Sequence, residues 1–173
     1  MPRYVALLRG VSPKNCSMSE LKRSLESAGL ADVKTLLSSG NVAFTVARTL
    51  PPAVLQKRVE KAMKDGMGRS FPALVRTSAQ LQQLVQADPF AAFELPDGVK
   101  RVVTFLRTPG AVGQVALPIS QSDACILQRL GGEVLSVYLP GDKGPVFMHL
   151  LEKTFGQDIT TRSWDTVAAC AAA

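Results

Sequence analysis

Hydrophobic positions change period several times along the first half of the chain. Tyr4 to Leu8 is an unbroken apolar run, too short for a helix and closed by the breakers Gly10, Ser12 and Pro13, which predicts a strand. Met18, Leu21, Leu25 and Ala28 then recur at helical spacing. Ser17-x-x-Glu20 is a capping box ahead of that stripe, Cys16 and Leu21 are placed as its hydrophobic staple, and Gly29 supplies the stop. Val33 to Leu37 and Asn41 to Val46 are two strand-like runs separated by Ser38-Ser39-Gly40, a hairpin spacing with Gly40 taking a positive φ. After Pro51 and Pro52, the stripe Leu55, Val59, Ala62 and Met63 predicts a helix ended by Gly66 and Gly68, and Ala73 to Thr77 predicts a further strand. The order strand, helix, strand, strand, helix, strand is the split βαβ plan of a ferredoxin-like unit.

The remainder is more irregular. Ser78 to Ala87 predicts a helix with Leu81, Leu84 and Val85 on one side, and Asp88 to Gly98, holding Pro89 and Pro96, predicts a connector. Beyond it come a strand at Arg101 to Leu106, a Gly- and Pro-punctuated crossover from Thr108 to Pro118, and a hairpin of Ala124 to Leu130 with Val134 to Leu139 around Gly131-Gly132. A helix is expected from about Val146 to Phe155, a short edge strand at Ile159 to Thr161, and a last helix from Ser163 that buries Trp164, Val167, Ala168 and Ala171. The expectation is an α+β protein of two ferredoxin-like halves (α-β plaits). Residues 1–77 form the first, 78–98 a helix and connector, and 99–173 a second, irregular half with an extra C-terminal helix.

Length and composition are those of an ordinary globular protein: 173 residues, 46% hydrophobic and 20% charged. No apolar stretch approaches the roughly 20 residues of a membrane span, and no secretory signal is read at the start. Cys16, Cys125 and Cys170 are an odd set without a Cys-x-x-Cys pair, so free thiols and a cytoplasmic location are expected. The net charge of +6 is unevenly spread. Residues 1–77 carry 13 Lys and Arg against 5 acids, and residues 78–173 carry 7 against 9, which opens a polyanion, a phosphorylated ligand or the acidic second half itself as a partner of the first half.

Taken together, several motifs resemble one family. They are Tyr4-Val5-Ala6-Leu7-Leu8-Arg9-Gly10, Met18 with Leu21, Ser39-Gly40-Asn41-Val42-x-Phe44, Arg76-Thr77, Asp88-Pro89-Phe90, Val102-x-Thr104-Phe105-Leu106, Tyr138-Leu139-Pro140, and Thr160-Thr161-Arg162-x-Trp164-x-Thr166-Val167. In this order they resemble the bacterial family called domain of unknown function 1697 over nearly the whole chain. The resemblance implies two ferredoxin-like halves and brings no established activity, substrate or catalytic residue. Where members usually carry a glycine-containing loop after Arg-Gly, this chain has Val11-Ser12-Pro13-Lys14-Asn15, and the usual Arg-Asn-Trp is Arg162-Ser163-Trp164.

Enzyme signatures are sparse. Gly-x-Ser-x-Gly, the Walker loop and Gly-x-Gly-x-x-Gly are all missing, and a single histidine excludes a site built on two imidazoles. His149 falls on the polar side of its helix, the cysteines have structural explanations, and neither a cofactor nor a metal is expected. An RNA-recognition sheet needs aromatic residues on its open face, and Phe44 shares a face with Val42 and Val46, leaving Tyr4 as the one candidate for stacking. Lys57, Arg58, Lys61 and Lys64 form a basic helix face, interrupted by Glu60 and Asp65, that could serve a nucleic-acid or protein adaptor. The leading expectation is different. Arg9-Gly10, Ser39-Gly40-Asn41 and Thr161-Arg162 combine guanidinium, hydroxyl and turn amides, the groups that bind a small phosphate- or carboxylate-bearing ligand between two halves. The same residues have structural alternatives: Gly40 for the turn, Ser39 and Asn41 for bonds to its backbone, and the arginines for pairing acids. Whether the protein is an enzyme, and in what oligomeric state it works, stays open at this level.

Overall fold

A computed structural model describes residues 1–141 and 146–173. It is a mixed α+β protein with two antiparallel sheets and, among the described residues, five α-helices. The chain divides into unit 1, Met1–Gln86 with Ala168–Ala173, and unit 2, Ala87–Val167. No helix among the described residues is long and apolar enough to cross a membrane.

Unit 1 contains β1 (Arg3–Leu8), α1 (Met18–Ser27), β2 (Ala31–Leu36), β3 (Asn41–Thr45), α2 (Pro52–Met67), β4 (Ala73–Thr77) and α3 (Ser78–Ala87, entering unit 2 at its last residue). Its sheet runs β2-β3-β1-β4, with every neighbour antiparallel. The period-2 alternation of β1 and β3 turns Tyr4, Ala6, Leu8, Val42, Phe44 and Val46 toward Leu21 and Leu25 of α1 and Leu55, Val59 and Met63 of α2. Tyr4 is therefore a core residue and cannot serve as a stacking platform. It is fully buried, stacks on Phe44 at 6.0 Å, and its hydroxyl donates to Leu50 O and accepts from Leu50 N.

Ser17 caps α1 through its side chain, and Gly29 (φ +87°) follows its end, as the sequence predicts. Helix α2 departs from expectation, because Gly66 lies inside it and only Gly68, in the left-handed region, caps it. The reason is packing: a Cβ on Gly66 would sit 2.2 Å from Ser24 Oγ of α1. The hairpin also departs. Leu37 leaves the strand, and Leu37 (φ +60°) and Ser38 (φ +51°) adopt left-handed backbone along with Gly40.

Unit 2 holds β5 (Lys100–Leu106), β6 (Ile119–Gln121), β7 (Ala124–Leu130), β8 (Glu133–Tyr138), α4 (Val146–Phe155), β9 (Ile159–Ser163) and the start of α5 (Trp164–Ala171). Its sheet order is β6-β7-β8-β5-β9. Strand β6 closes the crossover and is not legible in its three-residue span. Helix α4 packs Leu150, Leu151 and Phe155 over Leu106, Ile126, Val134 and Ile159. Arg129 ties the crossover to the β7–β8 turn: its guanidinium donates to the carbonyls of Pro109, Val112, Gly113 and Gly131.

Candidate functional site

Five of the residues singled out from the sequence gather at one end of the unit 1 sheet. Strand β1 pairs Leu7 with Asn41, and Leu8 N then donates to Gly40 O at 2.8 Å, which sets Arg9 and Gly10 against the β2–β3 hairpin. Gly40 is forced by more than its φ of +82°, since a Cβ there would approach Val11 Cβ and Leu8 Cβ to 3.0 and 3.1 Å. The Asn41 side chain is fully buried and holds the hairpin, its amide donating to Leu36 O and Ser39 Oγ. Ser38 and Ser39 are exposed at the tip, Arg9 is half-buried, and Arg9 N donates to Pro72 O at 2.9 Å.

The loop after Gly10 is ordered by a residue the sequence reading passed over. Asn15 accepts from Ser12 N through Oδ1 and donates to Gly10 O through Nδ2, both at 2.8 Å, and its own carbonyl takes the Arg69 guanidinium at 2.7 Å. Arg69 and Lys14 thereby join Arg9 in bringing positive charge to this loop. An Asn two residues after Pro13 in a turn-rich segment is the signal that could have marked it.

Thr161 and Arg162 belong to unit 2, on β9. Thr161 Oγ1 shares a hydrogen bond of 2.8 Å with Thr104 Oγ1, and Arg162 donates to Thr160 Oγ1 at 2.7 Å and Thr161 O at 2.9 Å. Ser163 caps α5, accepting from Thr166 N at 3.2 Å.

On the basic face of α2, Arg58 donates to Ala28 O, Lys61 pairs with Asp65 at 2.6 Å, and Lys64 donates to Gly68 O, while Lys57 is exposed. Glu60, read from the sequence as an interruption of that face, accepts from Ala73 N at the edge of β4.

His149 is exposed. Cys16 and Cys170 are buried, Cys125 is half-buried, and all three are free thiols. Burial raises the Cys16 thiol pKa, Glu20 raises it further, and Arg69 opposes both. That is the reverse of what a nucleophile requires.

No curated protein matches this chain. Among solved structures, it is similar to the conserved bacterial protein SP0830 from Streptococcus pneumoniae, with 19% identity over 99% of this chain and 97% of that one and a TM-score of 0.70. At that identity the likeness speaks for the fold alone. The family model described as "Protein of unknown function (DUF1697)" matches residues 1–127, and the chain belongs to that family.

Proposed function

We propose that unit 1 binds a small anion carrying a phosphate or carboxylate at the end of its sheet, where Arg9 and Gly10 meet Ser38 and Ser39. The observation that carries this reading is the Leu8–Gly40 backbone bond, which holds a cationic loop against an exposed, hydroxyl-bearing hairpin tip. A guanidinium with convergent hydroxyls and turn amides is suited to oxyanions, and Lys14 and Arg69 add to the local positive potential. Gly40 and Asn41 act as scaffold, because their backbone and amide groups build the hairpin. The proposed site draws on unit 1 alone, without Thr161 and Arg162. No reaction is assigned to it.

A ferredoxin-like plan for both units is part of the same reading. The order β2-β3-β1-β4 with α1 and α2 as crossovers supports it in unit 1. In unit 2 the order β7-β8-β5-β9 repeats it, with a loop and the edge strand β6 standing in for the first crossover helix. Three unbridged thiols support a reducing, cytoplasmic location.

Amide NMR titrations with inorganic phosphate, glucose 6-phosphate and citrate test the site. Saturable shifts at Arg9, Gly10 and Ser38 to Asn41 are expected, with Arg9→Gln weakening binding by about ten-fold through loss of a charge-assisted contact. Unmoved amides there with all three probes would remove the proposal.

A further inference from the structure

Unit 2 carries a separate concavity that the anion site does not use. It has a volume of about 210 Å³ and is bounded by Lys100, Arg101 and Val102 of β5, Tyr138 of β8, and Ser163, Trp164 and Asp165 where β9 passes into α5. Strand register explains the grouping. Lys100 lies opposite Tyr138 and Val102 opposite Ser163, and alternation along β5 puts Lys100 and Val102 on one face. Both aromatic walls are braced: Tyr138 stacks on Phe147 at 4.1 Å with 2° between the rings, and Trp164 meets Phe90 edge to face at 5.2 Å. The Arg101 guanidinium sits 5.9 Å from the centre of the Phe90 ring. Rings fixed in this way lose little freedom when a ligand lies against them.

We infer that this concavity binds a small molecule joining one flat ring to one anionic group. The ring lies against Trp164 or Tyr138, whose faces suit stacking, and the exposed Lys100 ammonium takes the anion. Size and charge narrow the class. The volume is below the roughly 300–1,000 Å³ of sites for drug-sized ligands, which favours a single ring system over a dinucleotide. Lys100 and Arg101 against the Asp165 carboxylate leave one positive charge in excess, which suits a single negative group.

Trp164 is the single tryptophan of the chain, so its emission reports on this site directly. The intact protein is titrated with adenosine monophosphate and with benzoate, using adenosine and inorganic phosphate as controls that carry only one of the two features. A saturable emission change is expected with at least one of the two-feature probes, and a response about ten-fold weaker with each control. Lys100→Gln should weaken binding by about ten-fold through loss of a charge-assisted hydrogen bond, and Asp165→Asn should tighten it. Arg9→Gln should leave the titration unchanged, which separates this site from the one in unit 1. No saturable change with either two-feature probe, controls that bind as well as the probes, or an unaltered response in Lys100→Gln each overturns the inference.

Discussion

Gly66 shows how one missing carbon fixes a helix pair. Alanine is the better helix former by about 1 kcal/mol, so Gly66→Ala would stabilise α2 if nothing stood opposite. Ser24 does stand opposite, with its Oγ, Cβ and Cα 2.2, 2.6 and 3.1 Å from the new methyl, and the last of these is backbone. Overpacking therefore wins, and Gly66→Ala should destabilise the protein by about 1–3 kcal/mol. Adding Ser24→Gly removes the Oγ and Cβ contacts but leaves the Cα one and puts a glycine inside α1, so it should recover only part of that loss in a denaturant titration. The cysteines give a second prediction at this scale. Half-buried Cys125 should react with a thiol reagent in the native state, while Cys16 and Cys170 react only on unfolding. Because burial raises the Cys16 pKa in the folded state, its thiol stays protonated as pH rises through the ordinary thiol range, whereas the unfolded thiol ionises. Native stability should then fall over that alkaline window, and less so in Cys16→Ala; alkylation of native Cys16 as fast as that of Cys125 would contradict this account.

At the scale of elements, the β4 edge of the unit 1 sheet is closed by side chains. Alternate amides of β4 donate outward, Ala73 N to Glu60 Oε2, Val75 N to Gln56 Oε1 and Thr77 N to Gln80 Oε1, while Gln80 N donates back to Thr77 Oγ1. The last pair is a reciprocal capping box that starts α3 directly from the strand. An edge with its donors occupied offers little to a foreign strand. Gln56→Met should leave Val75 N buried and unpaired, costing about 1–3 kcal/mol and speeding exchange of that amide. Helix α1 was legible because Ser17, Glu20, Leu21 and Gly29 encode its start, face and end locally. Gln56, buried on α2, was not, because nothing in a helical stripe announces that its amide will meet a strand about 19 residues on. Likewise Asn41 reads equally well as a ligand group and as a turn clamp until its partners, Leu36 O and Ser39 Oγ, are in view.

Across the whole molecule, the uneven charge is a property of composition, and the sheets decide what it can do. With Tyr4 and Phe44 both fully buried, Arg58 engaged with Ala28 O at the end of α1, and Lys61 and Lys64 engaged along α2, single-stranded RNA should bind no tighter than the non-specific range of about 10⁻⁴–10⁻⁶ M at physiological salt. Fluorescence anisotropy with a mixed-sequence RNA checks this. Tighter binding that disappears in Lys57→Glu with Lys61→Glu would favour the basic-face adaptor instead. By itself the sequence determined the succession of strands and helices apart from β6, the start and stop of α1, and the membership of one core face, because all of these depend on spacing within a few residues. Only the tertiary structure decided that Tyr4 belongs to the core, that Gly66 serves a helix contact, and that Lys100, Tyr138 and Trp164 border one cavity. Those facts arise from hydrogen-bonded register and close packing between segments far apart in the chain, and local periodicity carries no record of either.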